Sequence, residues 1–268
     1  MNTEPLYTKD FLWLNLRDLP YFRAMVRAVE AEYYQEVDLP RPQLDIGCGD
    51  GHFASLVFDE PIDIGIDPWG APIREAASRK CYRSVVLGDA GVVPFPDDHF
   101  GSAFSNSVLE HIPHVRNVLR EAARVLKPNA PFLFCVPNRR YLSELSIPGM
   151  FSRVGFHGLG NAYTEWFRRM SRVYHAQPPE VWESWLQEAG FELEKWWHYF
   201  SPKALRALEW GHYFGAPTLL PHFFTGRWIL VPRRWNLALT ERIIRPYVDT
   251  DPHPLGTFTF YVARKRSA

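Results

Sequence analysis

The sequence predicts an open, doubly wound α/β fold: a mostly parallel sheet with helices on both faces. Three observations predict it. Short apolar runs alternate with helical periodicity from residue 20 to residue 136. The first run ends in a glycine-rich turn, Gly47-Cys-Gly-Asp-Gly51. Later runs end in Asp67, Asp89 and Asn106, at the strand ends where open α/β sheets bind ligands.

Each element has its own reason. Phe22, Met25, Val26 and Val29 recur at helical spacing after Pro20, which predicts a helix over 20–36. Leu44–Gly49 is a strand broken by glycines, and His52–Phe58 restarts a helix. Ile62–Asp67 and Ser84–Asp89 are the second and third strands, with a helix over Ala71–Lys80 between them. Phe100–Asn106 is the fourth strand. Pro113 opens a helix whose apolar residues, Val115, Val118, Leu119, Ala122, Val125 and Leu126, share one face; Lys127-Pro-Asn129 stops it. Phe132–Val136 is apolar throughout, a fifth strand covered on both faces. Residues 139–175 read as an irregular insertion. A helix over Pro178–Ala189 ends at Gly190, and Phe191–Tyr199 is a sixth strand. Residues 200–248 form a second insertion, and Thr257–Val262 alternates strictly, a closing strand. The expected organisation is a single domain over 1–268, with 139–175 and 200–248 forming a cap on the acceptor side.

Charge is balanced overall but not locally. Thirty basic residues face thirty acidic ones, which argues against binding nucleic acid by bulk charge. The insertion 139–175 nevertheless has six arginines against two glutamates, a net of +4, and 200–248 has seven cations against two, a net of +5. The remainder of the chain is therefore −9. In 232–245, Trp235, Leu239 and Ile243 share a helical face flanked by four arginines. Such a face packs on the domain as a lid or lies in a membrane interface. Cys48, Cys81 and Cys135 make neither a disulfide framework nor a zinc site, so no metal is expected and a reducing cytoplasm is. The first residues do not read as a leader, and no stretch reads as a spanning helix.

The motif chemistry is sharpest at the first turn. Gly47, Gly49 and Gly51 let backbone approach a ligand closely. The dinucleotide fingerprint fails, because its third glycine falls on His52. Asp45, ahead of the first glycine, suits a cationic ligand better than a pyrophosphate. Asp67 can accept hydrogen bonds from both hydroxyls of a ribose, and Asp89 from an adenine amino group. Acids at the ends of three consecutive strands specify an adenosine carrying a positive group.

On these residues the chain resembles the class I S-adenosylmethionine-dependent methyltransferases, small-molecule branch. Leu44–Gly51, with Asp45, Gly47, Cys48 and Gly49, resembles the family's glycine-rich loop. Asp67, followed by Pro68, resembles its ribose acid, and Asp89-Ala90 its adenine pair. Pro94–Phe100 with Ser105–Ile112 resembles the fourth-strand signature, and Leu126-Lys-Pro-Asn-Ala130 and Val136-Pro-Asn138 the turns around the fifth strand. The resemblance covers about 40–138 and resumes at 178–199 and 256–264; Asn129-Ala130 departs from a usual Gly-Gly turn. It implies a Rossmann-like, seven-stranded sheet with an antiparallel last strand, S-adenosylmethionine as cofactor, and methyl transfer.

Asn106 is expected to meet the cofactor through its backbone, and His111 is the candidate general base for a hydroxyl acceptor. His52 is a candidate cofactor contact or fills the helix start, and His157 and His175, in or beside the first insertion, are candidates to face the acceptor. The basic, aromatic insertions point to an anionic small-molecule, glycan or lipid acceptor methylated at oxygen, in the cytoplasm or peripherally at a membrane. Two other classes compete. A nucleic-acid methyltransferase is disfavoured by Ser105-Asn-Ser-Val108, which lacks the Asn/Asp-Pro-Pro-aromatic pattern of enzymes that methylate base amines. A non-catalytic binding module is disfavoured because Asp45, Asp67 and Asp89 are all present.

Overall fold

The computed structural model describes residues 9–35 and 37–267. Among the described residues two helices, α1 (Phe11–Leu16) and α2 (Tyr21–Gln35), precede the sheet. Then follow β1 (Gln43–Ile46), α3 (His52–Val57), β2 (Ile62–Asp67), α4 (Gly70–Arg79), β3 (Tyr82–Leu87), β4 (Ser102–Asn106), α5 (Val115–Val125) and β5 (Pro131–Pro137). The first insertion contains α6 (Arg140–Ser143), α7 (Ser146–Arg153) and α8 (His157–Met170). After α9 (Pro179–Ala189) and β6 (Phe191–Tyr199), the second contains α10 (Pro202–Phe214), α11 (Leu219–Thr225) and α12 (Arg234–Ile244). β7 (Phe258–Lys265) closes the fold.

The seven strands lie in the order β3-β2-β1-β4-β5-β7-β6. β7 is antiparallel to both neighbours, and the pairings from β3 through β5 are parallel. The doubly wound sheet is as the sequence predicts, and the reversed last strand is as the family resemblance implies. Strand order reverses between β1 and β4, which puts a crevice at their carboxyl ends. Alternation along the central strands divides the core. Phe104, Leu133 and Cys135 face α2 and α10; Ala103, Phe132 and Phe134 face α5 and α9. The predicted stripe of α5 is buried throughout.

The first insertion is helical, not irregular. Gly149, Gly155, Gly158 and Gly160 break any helical pattern in its sequence. One of them is a packing device: a Cβ at Gly160 would lie 3.1 Å from the Pro148 carbonyl oxygen, so α7 and α8 touch where the side chain is missing. α10 lies across the start of α2, where a Cβ at Gly211 would come within 2.4 Å of Phe22 Cβ. Because α2 reaches the end of β4 through Arg27, this contact puts α10 near the carboxyl rim of the sheet. Among the described residues no helix is long and apolar enough to cross a membrane.

Candidate active site

β1 ends at Ile46 and the chain turns at once. Gly47, Gly49 and Gly51 have φ of 82°, 55° and 74°. The amides of Gly47 and Cys48 both donate to the Ile66 carbonyl, at 2.8 and 3.1 Å, fixing the loop to β2. At Gly47 a Cβ would lie 2.4 Å from Val108 Cγ1, so the segment after β4 presses directly on the loop. At Gly49 a Cβ would meet nothing within 4 Å. The loop is tight on one side and open on the other, the geometry a close-approaching ligand needs.

Asp67 ends β2, in register with Leu87 of β3, and is buried. Its Oδ2 accepts the Gly49 amide at 3.0 Å and its Oδ1 the Trp69 amide at 2.9 Å. A carboxylate oxygen can accept twice, so each retains a lone pair. Two adjacent acceptors match a vicinal diol. Pro68, Trp69 and Leu87 are exposed beside it, offering apolar surface at the same strand ends. Asp89 is exposed, held by the Gly91 amide on its Oδ1 at 2.7 Å, and Ala90 is buried behind it.

Asp45 stands lower than its sequence position promised. Its register partner is Gly65, two residues before Asp67, and its Oδ2 accepts the Tyr82 hydroxyl at 2.6 Å. Gly65 makes room for this bond, since a Cβ there would lie 2.9 Å from both Tyr82 Cε1 and Cys48 Cβ. The picture of three acids along one rim is therefore corrected: Asp67 and Asp89 end at it, while Asp45 is buried within the sheet beside Cys48. Burial pushes the Asp45 carboxyl up to about 7, against the lowering effect of the Tyr82 hydrogen bond. Burial likewise raises Asp67, opposed by its two amide donors.

Across the switch point, Asn106 ends β4. Its carbonyl accepts Arg27 Nη1 at 3.0 Å, so the backbone oxygen expected to meet the cofactor already has a partner from α2. Its Nδ2 donates to Glu30 Oε2 at 2.9 Å. Ser107, with φ of 51°, donates to Glu30 Oε1 at 2.6 Å, as does the Tyr199 hydroxyl at 3.0 Å. Glu30 is wholly buried, and these donors with Arg27 account for it. Sequence reasoning missed Arg27, Glu30 and Tyr82. A signal for Glu30 existed: its helical neighbours Val26, Tyr33 and Tyr34 form a face too apolar for a solvated acid.

His111 follows in a short 3-10 turn, Leu109–His111. Its Nδ1 is 3.0 Å from the Arg172 carbonyl. A carbonyl only accepts, so Nδ1 carries the hydrogen and the neutral ring presents its lone pair on Nε2. Nε2 faces Glu110 Oε1 at 3.7 Å. Glu110 is buried; its Oε2 has no hydrogen-bond partner among the described residues, and burial raises its carboxyl above the usual range. Its carbonyl accepts the amides of Tyr174 and His175, which stitch the first insertion to this turn. The other histidines are differently employed. His52 is buried against Asp18, Nε2 to Oδ2 at 3.2 Å. His175 Nε2 donates to the Ile112 carbonyl at 3.0 Å, and His157 is exposed at the start of α8.

With this arrangement in hand, comparison with known proteins defines the class. Residues 44–134 match the family described as a methyltransferase domain. Over 92% of this chain and 91% of the other, the structure superposes on an S-adenosylmethionine-dependent methyltransferase from Thermotoga maritima, with a TM-score of 0.56 at 16% identity, a likeness of fold. The 2-phytyl-1,4-naphtoquinone methyltransferase of Synechococcus elongatus is 38% identical over 97 residues, 32% of this chain and 42% of that one. The methyltransferase YcgJ of Bacillus subtilis is 37% identical over 164 residues, 55% of this chain and 64% of that one. Both matches span less than two thirds of the relative. Residues 44–134 thus form a methyltransferase domain, and the seven-stranded sheet that contains them has the fold of S-adenosylmethionine-dependent methyltransferases.

S-adenosylmethionine is the cofactor of that family, and the residues present fit it. Asp67 has two lone pairs side by side for a ribose. Gly49 leaves open space over the loop. The acids at the rim, Asp67 and Asp89, suit a cationic nucleoside.

Proposed function

We propose that the chain transfers the methyl group of S-adenosylmethionine to an oxygen of a small-molecule, glycan or lipid acceptor. The observation that carries the cofactor half is Asp67, held by two backbone amides with a lone pair left on each oxygen. Asp45, Gly47, Cys48, Gly49, Pro68, Asp89 and Ala90 complete the cofactor set. Asn106 belongs to it through Arg27 and Glu30, which fix the end of β4.

When bound, the cofactor supplies an electrophilic methyl on a sulfonium. The chain's part is to align the acceptor and to take its proton. His111 is the base. Arg172, from the first insertion, holds its Nδ1 hydrogen and leaves Nε2 free to accept. Once protonated, Nε2 has Glu110 Oε1 3.7 Å away to compensate its charge. The insertion that fixes this tautomer also supplies part of the cap over the acceptor. With nets of +4 and +5 the two insertions favour an anionic acceptor, met in the cytoplasm at a membrane surface.

The test is transfer from methyl-labelled S-adenosylmethionine into fractionated cell extract. Label is expected in the small-molecule, glycan or lipid fraction. Label confined to nucleic acid, or no transfer by protein that binds the cofactor, refutes the reading. His111→Ala should lower turnover of a hydroxyl acceptor by roughly 10²-fold or more with cofactor affinity unchanged. Unchanged turnover removes His111 from the mechanism.

A further inference from the structure

The two basic insertions carry an apolar surface left open to solvent. Exposed rings run across α8 and α10: Trp166 stacks on Tyr213 with centroids 6.4 Å apart, and Trp210 on Phe214 at 6.0 Å. The last turn of α11 carries Phe223 and Phe224, 82% and 77% exposed. The strap after it is pinned from inside, because Trp228 and Ile229 pack on the core. α12 is apolar on two opposite sides. Leu237 and Ile244 are buried, while Trp235, Leu239 and Ile243 point outward, the first two 76% and 71% exposed. A helix that only roofs a domain needs one apolar side.

The charges name the occupant. Residues 210–240 contain three arginines and no aspartate or glutamate. Arg234 and Arg245 are held by Asp10 and Glu241. Arg227, Arg233 and Arg242 flank the apolar side chains and have no ion pair among the described residues. A second copy of this chain would bring like charges together on this face. A surface of lipid phosphates complements them.

We propose that α11, its strap and the outer side of α12 dock on an anionic bilayer. Phe223, Phe224, Trp235 and Leu239 enter the headgroup region, and Arg227, Arg233 and Arg242 meet phosphates. The inference rests on the membrane-surface reading above and deepens it by naming the face and the lipid chemistry. Since α10 joins this face to the start of α2, docking sets the carboxyl rim of the sheet close to the bilayer.

The test uses the full chain and two sets of vesicles, pure phosphatidylcholine and phosphatidylcholine with about one third phosphatidylglycerol. Co-sedimentation with the anionic set is expected, falling as salt rises. The pair Phe223→Ser and Phe224→Ser should weaken it at least roughly tenfold. The triple change Arg227→Gln, Arg233→Gln, Arg242→Gln should weaken it roughly hundredfold, at about fivefold per charge. Cofactor affinity by calorimetry should be unchanged in both variants, which also certifies their fold. Absence of binding to anionic vesicles, or equal binding to both sets, overturns the proposal. So does a dimer in sedimentation velocity that dissociates in the phenylalanine variant. Vesicle binding requires no methyl transfer, so its failure leaves the enzymatic reading intact, and the reverse holds too.

Discussion

At the residue scale, Asp45 and Tyr82 form a buried pair beneath the cofactor loop, 2.6 Å from oxygen to oxygen. An aspartate carboxyl ordinarily ionises at 3.8, and burial pushes this one up to about 7. Below pH 3.8 the group is neutral whether the chain is folded or not, so burying it is least costly there. As pH rises the unfolded chain loses the proton first, and that stability is lost through about 7. Asp45→Asn should flatten this part of the thermal stability profile, measured by circular dichroism. Tyr82→Phe should move the loss to higher pH, because the hydroxyl stabilises the carboxylate. A cation bound nearby favours the ionised form, so cofactor affinity should rise across the same window in the wild type and stay level in Asp45→Asn. A parallel profile in the two proteins would detach Asp45 from both effects.

Residues that end strands were legible in the sequence, and contacts made by the protein's own packing were not. Asp67 announced itself by position after a strand. Glu30 and Arg27 did not, because a helical glutamate three residues after an arginine is the ordinary signature of an exposed pair. Only the fold brings Asn106 and Ser107 from the end of β4, and Tyr199 from the end of β6, onto Glu30. Glu110 has a buried, unpartnered Oε2 that is visible only with the insertion packed over it. Glu110→Gln preserves shape and removes a buried acid. It should hold or raise melting temperature above neutral pH, since burial raises this carboxyl, while lowering turnover of a hydroxyl acceptor. A lowered melting temperature with full turnover would assign Glu110 to structure alone.

At the element scale, the strands and helices up to β5 were legible because each side of the sheet imposes a period. The stripe of α5 and the apolar run of β5 are direct prints of burial on two faces. The insertions lacked that print. α7 and α8 hold glycines that lower intrinsic helicity, and they form through mutual contact at Gly160. α1 is only six residues, started by the Asp10 carboxylate accepting the Trp13 amide at 3.1 Å. The joint between β1 and β4 makes a quantitative prediction. Gly47→Ala meets both a φ of 82° and Val108 at 2.4 Å. It should cost roughly 1–3 kcal/mol of stability in chemical denaturation. Adding Val108→Ala should return part of that and not all, because the backbone strain remains. Full recovery would mean that contact alone excludes a side chain, and no initial loss would mean that the loop is not held as described.

At the scale of the whole molecule, formal neutrality conceals two poles. The insertions carry +4 and +5 and the rest of the chain −9. The acids that suit a sulfonium nucleoside belong to the sheet, and the arginines that suit an anionic acceptor or bilayer belong to the helices beyond it. Composition alone hid this, and charge counted by segment found it. Which helices turn apolar faces outward required the structure, since Leu237 and Leu239 are equivalent in composition and opposite in exposure. The order of β1 and β4 puts the switch-point crevice at the carboxyl ends of these two strands. The central claim is that Asp67 grips the cofactor there, and calorimetric titration with S-adenosylmethionine tests it most directly. The wild type should bind one equivalent, and Asp67→Ala should lose roughly 2–4 kcal/mol of affinity, about 30- to 1,000-fold. No heat from the wild type, or equal affinity in the two proteins, would contradict it.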